Sequence, residues 1–302
     1  MPFEWSLNPY VGCVHACQYC YARAFYERAE YGNGGADFET RILVKSNVPE
    51  VLREELRRSG WRGALVALGT ATDPYQPAEG RFRLTRRALE VLRDFRNPMS
   101  LVTKSPLVFR DLDVLADLAR SATVRVFFTI TTVDAGLWRA LEPGTAAPQK
   151  RLQVMERLIQ AGVPAGVILA PILPGITDSV QSITAVVRGA RDHGANFFTY
   201  SPLRLGPTVR EHYLSFIART FPELSKRYER AYARIHAPAE YQAQLDRRVQ
   251  RIQSEHGLLT EALRGRSSGE VPVLASYRPQ LELPLWHDSR ALPLEPGVST
   301  SV

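Results

Sequence analysis

From residue 64 to residue 202, short β-branched or apolar runs alternate with longer stretches of helical periodicity. This alternation constrains the fold more than any other feature of the chain. The runs are Ala64–Thr70, Ser100–Lys104, Val124–Thr131, Ala165–Ile172 and Asn196–Ser201. Between them, Thr85–Arg96, Leu107–Arg120, Pro148–Ala161 and Ser179–His193 carry apolar residues at helical spacing, as in Leu152, Met155, Leu158 and Ile159. An earlier strand at Trp5–Gly12 and a helix at Val48–Ser59 bring the total to six strand–helix units. Parallel strands need long crossovers, which helices supply, so the alternation predicts an α/β fold on a parallel sheet. Periodicity alone leaves open a partial barrel or an open doubly wound sheet. In both, the functional edge is the C-terminal end of the strands.

That edge is polar. The strands run into Thr70-Ala71-Thr72-Asp73, Thr103-Lys104-Ser105, Thr129 through Asp134, Pro174 through Asp178, and Tyr200-Ser201. Helix caps account for any one such ending. Five at one edge predict a shared polar site. After Gly206 the alternation stops: Val209–Leu263 reads as basic helices, and Gly265–Val302 as an extended tail. The expected division is a barrel over residues 1–205 and a helical extension with its tail over 206–302.

A chain of 302 residues with 45% hydrophobic content can bury a full core. No apolar run is long enough to cross a bilayer, and the N-terminal residues lack the basic-then-apolar pattern of a secretion signal, so a cytoplasmic protein without a membrane partner is expected. The net charge of +7 admits a polyanionic partner such as nucleic acid, with Arg247, Arg248 and Arg251 as candidate phosphate contacts.

All three cysteines fall within Asn8-Pro-Tyr-Val-Gly-Cys13-Val-His-Ala-Cys17-Gln-Tyr-Cys20-Tyr-Ala-Arg, spaced C-x3-C-x2-C. An odd number so closely spaced is no disulfide framework. Soft thiolates suit an iron–sulfur cluster or zinc. Structural zinc takes four ligands, and the nearest fourth candidate, His15, is awkwardly placed between Cys13 and Cys17. A cubane held by three cysteines keeps one iron open for a ligand.

The spacing, with the aromatic Tyr19 just before Cys20, resembles the signature of the radical S-adenosylmethionine (SAM) superfamily. The phrases LGTATDPYQPAE, LVTKSP, LEPGTAAPQKRL and AGVPAGVILAPILPGITD are similar to the branch that includes spore photoproduct lyase. The resemblance implies a partial (βα)6 TIM-like barrel with a C-terminal helical extension. It implies a 4Fe–4S cluster on Cys13, Cys17 and Cys20, and SAM on the open iron. An electron donor such as flavodoxin or ferredoxin would reduce the cluster. Cleavage of SAM would give a 5′-deoxyadenosyl radical that abstracts hydrogen from substrate.

By position and similarity, Tyr19 packs beside the cluster and Tyr21 lines the site as a catalytic residue. Thr70, Thr72 and Asp73 face the SAM amino group, and Lys104 its carboxylate. Thr129 and Thr131 reach the ribose. Arg151 binds a carboxylate or joins an ion pair on its helix. Val167, Leu169, Ala170, Pro202 and Leu203 sandwich adenine. The lyase uses a further cysteine as hydrogen donor, and this chain has none beyond Cys20. The expected substrate is a nucleic-acid base, in DNA lesion repair or RNA modification. A peptide or small metabolite is the alternative, and a non-catalytic metal-binding module is the third reading.

Overall fold

The computed structural model describes residues 4–258. The chain opens with β1 (Trp5–Leu7), followed by a small antiparallel pair, β2 (Tyr10–Val11) with β3 (Leu43–Val44). That pair encloses the cysteine loop, α1 (Arg23–Arg28) and α2 (Ala36–Thr40). The single strand expected over Trp5–Gly12 is split at Asn8-Pro9, where proline has no amide to give a ladder. Next come α3 (Val48–Arg57), β4 (Val66–Leu68), α4 (Ala78–Phe82), α5 (Leu84–Asp94) and β5 (Met99–Thr103). The helix expected over Leu107–Arg120 starts as a 3-10 turn at Pro106–Asp111 and becomes α6 at Leu112–Ala119. Then follow β6 (Val124–Thr129), α7 (Ala135–Leu141), α8 (Pro148–Gln160), β7 (Ala165–Ile172), α9 (Val180–Asp192) and β8 (Phe197–Pro202). The chain continues through α10 (Pro207–Thr220), α11 (Ser225–Ala231) and α12 (Ala239–Glu255).

Six strands pair in the order β1-β4-β5-β6-β7-β8, every pair parallel. This is the partial (βα)6 barrel. Its register assigns the two faces of the sheet. Leu7, Leu68, Leu101, Val126, Phe128, Val167 and Phe198 lie on one face and pack with Leu52, Leu89, Leu92, Leu115, Met155 and Val186 of the helices in one core. The other face alternates with it and is the barrel interior. Phe127, Gly166 and Phe197 are neighbours in one interior row, and the two rings lie 4.5 Å apart. A Cβ on Gly166 would stand 2.2 Å from the Phe197 ring, so only glycine lets the aromatic pair close the floor. Thr129, Ile168 and Thr199 form the next row toward the mouth.

The segment from residue 206, expected as a helical extension, shares its cores with the barrel. Leu245, Val249 and Ile252 of α12 enter the main core. Val209, Tyr213 and Ile217 of α10 and Tyr228 of α11 join a second cluster with Leu141, Leu173, Cys17 and Tyr19. The expected tail, Gly265–Val302, lies outside the described residues. No helix of the described residues is long and apolar enough to cross a membrane.

Candidate active site around the cysteine loop

Cys13, Cys17 and Cys20 occupy the loop after the β1 end of the barrel, on the C-terminal side of the strands, with Cys13 and Cys17 buried. Gly12 sets the entry. Its φ is +83°, and a Cβ there would meet the Arg41 and Phe38 carbonyls at 2.9 and 3.0 Å. The Cys13 amide then donates to the Phe38 carbonyl at 2.8 Å. Arg23, wholly buried, donates to the Cys17 carbonyl and to Gly34 and Gly35, and pairs with Glu39.

Two segments grip this loop from opposite sides. On the β4 side, the Thr72 hydroxyl donates to the Gly12 carbonyl at 2.6 Å. The buried Gln76 amide donates to the same carbonyl and to Thr72, and accepts from the Val14 amide. The Asp73 carboxylate accepts from Thr103 Oγ1 at 2.8 Å, the Lys104 amide at 2.7 Å and the Tyr75 amide at 2.9 Å. It also faces His15 Nδ1 at 3.3 Å. Burial alone would raise the Asp73 pKa, but His15 and these hydrogen bonds hold it at about 2. The Asp73 oxygens are thus spent within the protein. Thr70 Oγ1 accepts from Asn8 Nδ2 at 2.9 Å, and Asn8 Oδ1 accepts from the Ala71 amide.

On the other side lies Leu141–Thr145, where α7 ends. The Gln18 amide donates to the Leu141 carbonyl at 3.0 Å and the Gly144 amide to the His15 carbonyl at 3.1 Å. A Cβ at Gly144 would stand 2.2 Å from the Val14 carbonyl. Tyr19 reaches down from the loop, its hydroxyl bonded to Glu142 and to Thr131 at 2.9 Å. Glu142 is paired with Arg151 Nη2 at 2.6 Å, both fully buried. Arg151 also donates to the Thr129 carbonyl at 2.9 Å, the Ala146 carbonyl at 2.8 Å and Thr145. Burial works against the Glu142 carboxylate, yet the charges of Arg151 and Lys104 and the hydrogen bonds from Tyr19 and Arg151 bring its pKa down to about 2.

Lys104 follows Thr103 at the end of β5, its ammonium 5.7 Å from the Tyr19 ring centre. Burial opposes its charge, but Cys17 and Glu142 nearby outweigh that and raise its pKa. Tyr21 is 44% exposed at the rim, with its hydroxyl donating to the Thr70 carbonyl.

The structure therefore brings Tyr19, Lys104, Thr129, Thr131 and Arg151 together beneath the loop and sets Thr70, Thr72 and Asp73 beside it. Four expectations change. Asp73, its oxygens taken by Thr103, the Lys104 and Tyr75 amides and His15, is not open to the SAM amino group. Arg151 forms its ion pair with Glu142, which is not on its own helix α8, and its guanidinium is consumed by protein acceptors, so it is not open to a ligand carboxylate. Val167 and Leu169 face the helices in the main core. Period-two alternation puts Ile168, half-buried, on the interior face instead, while Ala170, also half-buried, lies where the β7–β8 register shifts. Arg248 donates to the Asp178 carbonyl, Arg251 pairs with Glu255, and their helix α12 packs on α9 at the outer wall, away from the cysteine loop. Pro202 is half-buried at the end of β8, and Leu203 is buried in the second cluster with Cys17 and Tyr19. Sequence reading missed Asn8, His15 as a bonded partner, Gln76 and Glu142. Glu142 and Gly144 stood within LEPGT, a phrase that signalled resemblance without revealing its contact with the cysteine loop.

The donor chemistry suits a cluster. Three soft sulfurs share one loop, with a cation, Lys104, over the ring of Tyr19 in that loop. Among the described residues no three His, Cys, Asp or Glu side chains converge on one metal ion. A multi-iron cluster needs no such convergence, because each thiolate meets a different iron. Burial pushes the Cys17 and Cys20 thiols up, so binding iron must displace their protons.

Comparison with known proteins places this geometry. An uncharacterised protein of Mycobacterium tuberculosis is 40% identical over 250 residues, covering 82% of this chain and 73% of its own. A radical SAM Nalpha-GlyT isomerase of Pseudomonas phage M6 is 25% identical over 56% of this chain and 33% of its own. Spore photoproduct lyase, solved with bound AdoMet and dinucleoside spore photoproduct, has the same fold at a TM-score of 0.63 and 17% identity, covering 84% of this chain and 74% of that one. Residues 7–184, nearly the whole barrel and its cysteine loop, match the sequence profile of the Radical SAM superfamily; the chain belongs to that superfamily and is a radical SAM enzyme.

Proposed function

We propose that Cys13, Cys17 and Cys20 hold a 4Fe–4S cluster with one open iron for SAM, and that the enzyme abstracts a hydrogen atom from a nucleic-acid base. The observation that carries this reading is three cysteines on one loop at the barrel mouth, with the Lys104 ammonium 5.7 Å from the ring centre of Tyr19 in the same loop. When bound, the cluster and SAM supply a 5′-deoxyadenosyl radical.

The chain's own residues bind and orient. Lys104 is placed to pair with the methionine carboxylate, a charge-assisted contact. At the β4 end Thr70 is the oxygen assigned to the ammonium, while Thr72, bonded to Gly12 and Gln76, and Asp73 hold that segment in shape. Thr129 and Thr131 stand on the interior face for the ribose, and Ala170 and Ile168 offer an apolar wall to adenine. Tyr21, half-exposed at the rim, is the catalytic side chain assigned to meet substrate.

A basic rim supports the nucleic-acid reading. Arg204 follows β8, Arg234 precedes Ile235, whose carbonyl accepts from the Leu205 amide, and the Arg227 guanidinium approaches Gly175 after β7. All three are exposed at the mouth end of the strands, and no acidic partner pairs with them among the described residues. Spore photoproduct lyase, which shares the fold, has been solved with a dinucleoside photoproduct. The test is fluorescence anisotropy with single-stranded DNA and RNA across a salt series, alongside SAM cleavage with and without each. Binding that weakens steeply with salt is expected, with a log–log slope of roughly 0.7 per phosphate engaged. No affinity at low salt would remove the nucleic-acid substrate and leave a peptide or small metabolite. Absence of 5′-deoxyadenosine under reducing conditions would remove the radical chemistry itself.

A further inference from the structure

We infer that Arg110 is a positioning residue of the SAM site, acting through two buried carboxylates and two tyrosine hydroxyls that it joins into one closed circuit. This rests on the cluster and SAM assignment above. The first half of LGTATDPYQPAE sets Thr70, Thr72 and Asp73 beside the cysteine loop, and its second half turns into the protein. There the Tyr75 hydroxyl donates to Asp111 Oδ2 at 3.0 Å, and the hydroxyl of Tyr10, in β2, donates to Glu79 Oε2. Both phenols and both carboxylates are buried. The Arg110 guanidinium, half-buried in the 3-10 turn after β5, joins the two acids. Its Nη2 donates to Glu79 Oε1 at 2.7 Å and to Asp111 Oδ2 at 2.8 Å, its Nε to Asp111 Oδ1 at 2.8 Å, and its Nη1 to the Glu79 carbonyl at 3.0 Å. From α5, the Thr85 and Arg86 amides also donate to Glu79, and Arg86 Nη1 reaches Asp111 Oδ1 at 3.1 Å.

The two phenols anchor two walls of one site. Tyr10 leads through Gly12 into Cys13. Tyr75 follows the Thr70–Asp73 wall, and its own amide donates to Asp73 Oδ1 at 2.9 Å. Gln76, next in the chain, holds the cysteine loop directly: its side chain donates to the Gly12 carbonyl at 3.0 Å and accepts from the Val14 amide at 3.3 Å. A continuous path therefore runs from Tyr10 through the two acids and Arg110 to Tyr75, and returns through Gln76 to the cysteine loop. One planar guanidinium can donate to two carboxylates in fixed directions, which a lysine ammonium cannot reproduce. The circuit fixes the spacing between the loop assigned to the cluster and Thr70, assigned to the SAM ammonium. Opening it at any point releases the same constraint.

The test is equilibrium dialysis of SAM against the anaerobically reconstituted full chain, with iron assayed in every sample. Arg110→Met should weaken SAM binding about tenfold at unchanged iron content, within the range for residues that act on a site they do not touch. Arg110→Lys should recover only part of the loss. In turnover, KM for SAM should rise in step, while kcat for 5′-deoxyadenosine changes by less than about threefold, because the loss is one of binding. Tyr10→Phe and Tyr75→Phe each remove a single hydroxyl and keep the aromatic packing, so they report even where Arg110→Met fails to load iron. Each should weaken SAM binding about fivefold, and the double variant no further, because the circuit is opened only once. Their losses of melting temperature, from two separate hydrogen bonds, should add. Unchanged SAM binding in the iron-replete single variants, or a double variant whose dissociation constant rises by the product of the two single effects, overturns the inference. A parent protein that loads iron and binds no SAM would instead overturn the SAM assignment, which separates the two outcomes.

Discussion

Replacing Arg151 with Met keeps roughly the same side-chain length and removes the charge. In the folded chain this leaves the Glu142 carboxylate without its 2.6 Å partner, and the Thr129 and Ala146 carbonyls without donors. Both ionic partners are fully buried, so solvent screening gives no discount. Removing one member of such a pair costs about 3–5 kcal/mol, because the remaining charge is buried without compensation. With an unfolding entropy of about 2.1 cal/mol/K per residue over 302 residues, each kcal/mol moves the melting temperature by about 1.6 °C, so a fall of roughly 5–8 °C is expected. The assay is thermal unfolding of parent, Arg151→Met, Glu142→Gln and the double variant at matched cluster loading. Because the two groups touch, the double variant should lose less than the sum of the singles, with a coupling of about 1–3 kcal/mol. Additive effects, or a single-variant loss under about 1 kcal/mol, would refute the view that this pair braces the cysteine loop.

Gly144→Ala should displace the loop, since its Cβ would stand 2.2 Å from the Val14 carbonyl, and iron bound per chain should fall while far-UV circular dichroism holds. Lys104→Gln should raise the dissociation constant for SAM about 10–100-fold, the worth of a charge-assisted hydrogen bond, with iron content unchanged by chemical assay. Glu142 is held at about 2 in the folded state, below its ordinary carboxylate value, so its stabilising contribution is full above that ordinary value and is lost as pH falls toward 2. The stability gap between parent and Glu142→Gln should therefore narrow as pH falls from about 5 to about 3 in chemical denaturation. Arg227→Ala should weaken nucleic-acid binding and flatten its salt dependence, read as a lower log–log slope.

The sequence carried the sheet because five of its strands are buried apolar runs separated by amphipathic helices, a pattern that local periodicity encodes directly. The polar strand ends were equally legible, and Thr129, Thr131 and Lys104 lie where such ends gather. Facing was lost where it should have been found. Val167 and Leu169, expected against adenine by position and similarity, have the period-two register of the core face. The partners of the cysteine loop were invisible for a different reason. Gln76 and Glu142 act across 62 and 123 residues of sequence, on Val14 and Tyr19 respectively, and no local signal reports such a contact. Arg151 was singled out with two readings, and the structure chose the ion pair with a partner on the preceding segment. The α12 arginines misled because net charge says nothing about which side of a helix meets the core.

Three cysteines at the barrel mouth should make a radical-generating site with SAM. Anaerobic reconstitution with iron and sulfide, reduction, addition of SAM and chromatography for 5′-deoxyadenosine tests it most directly. The protein should hold one 4Fe–4S cluster per chain and form 5′-deoxyadenosine together with methionine, both lost when Cys13, Cys17 and Cys20 are replaced by Ala. A fully loaded, reduced protein that leaves SAM intact, or a cysteine-free variant that still cleaves it, would show that the cysteine loop is not the radical-generating site.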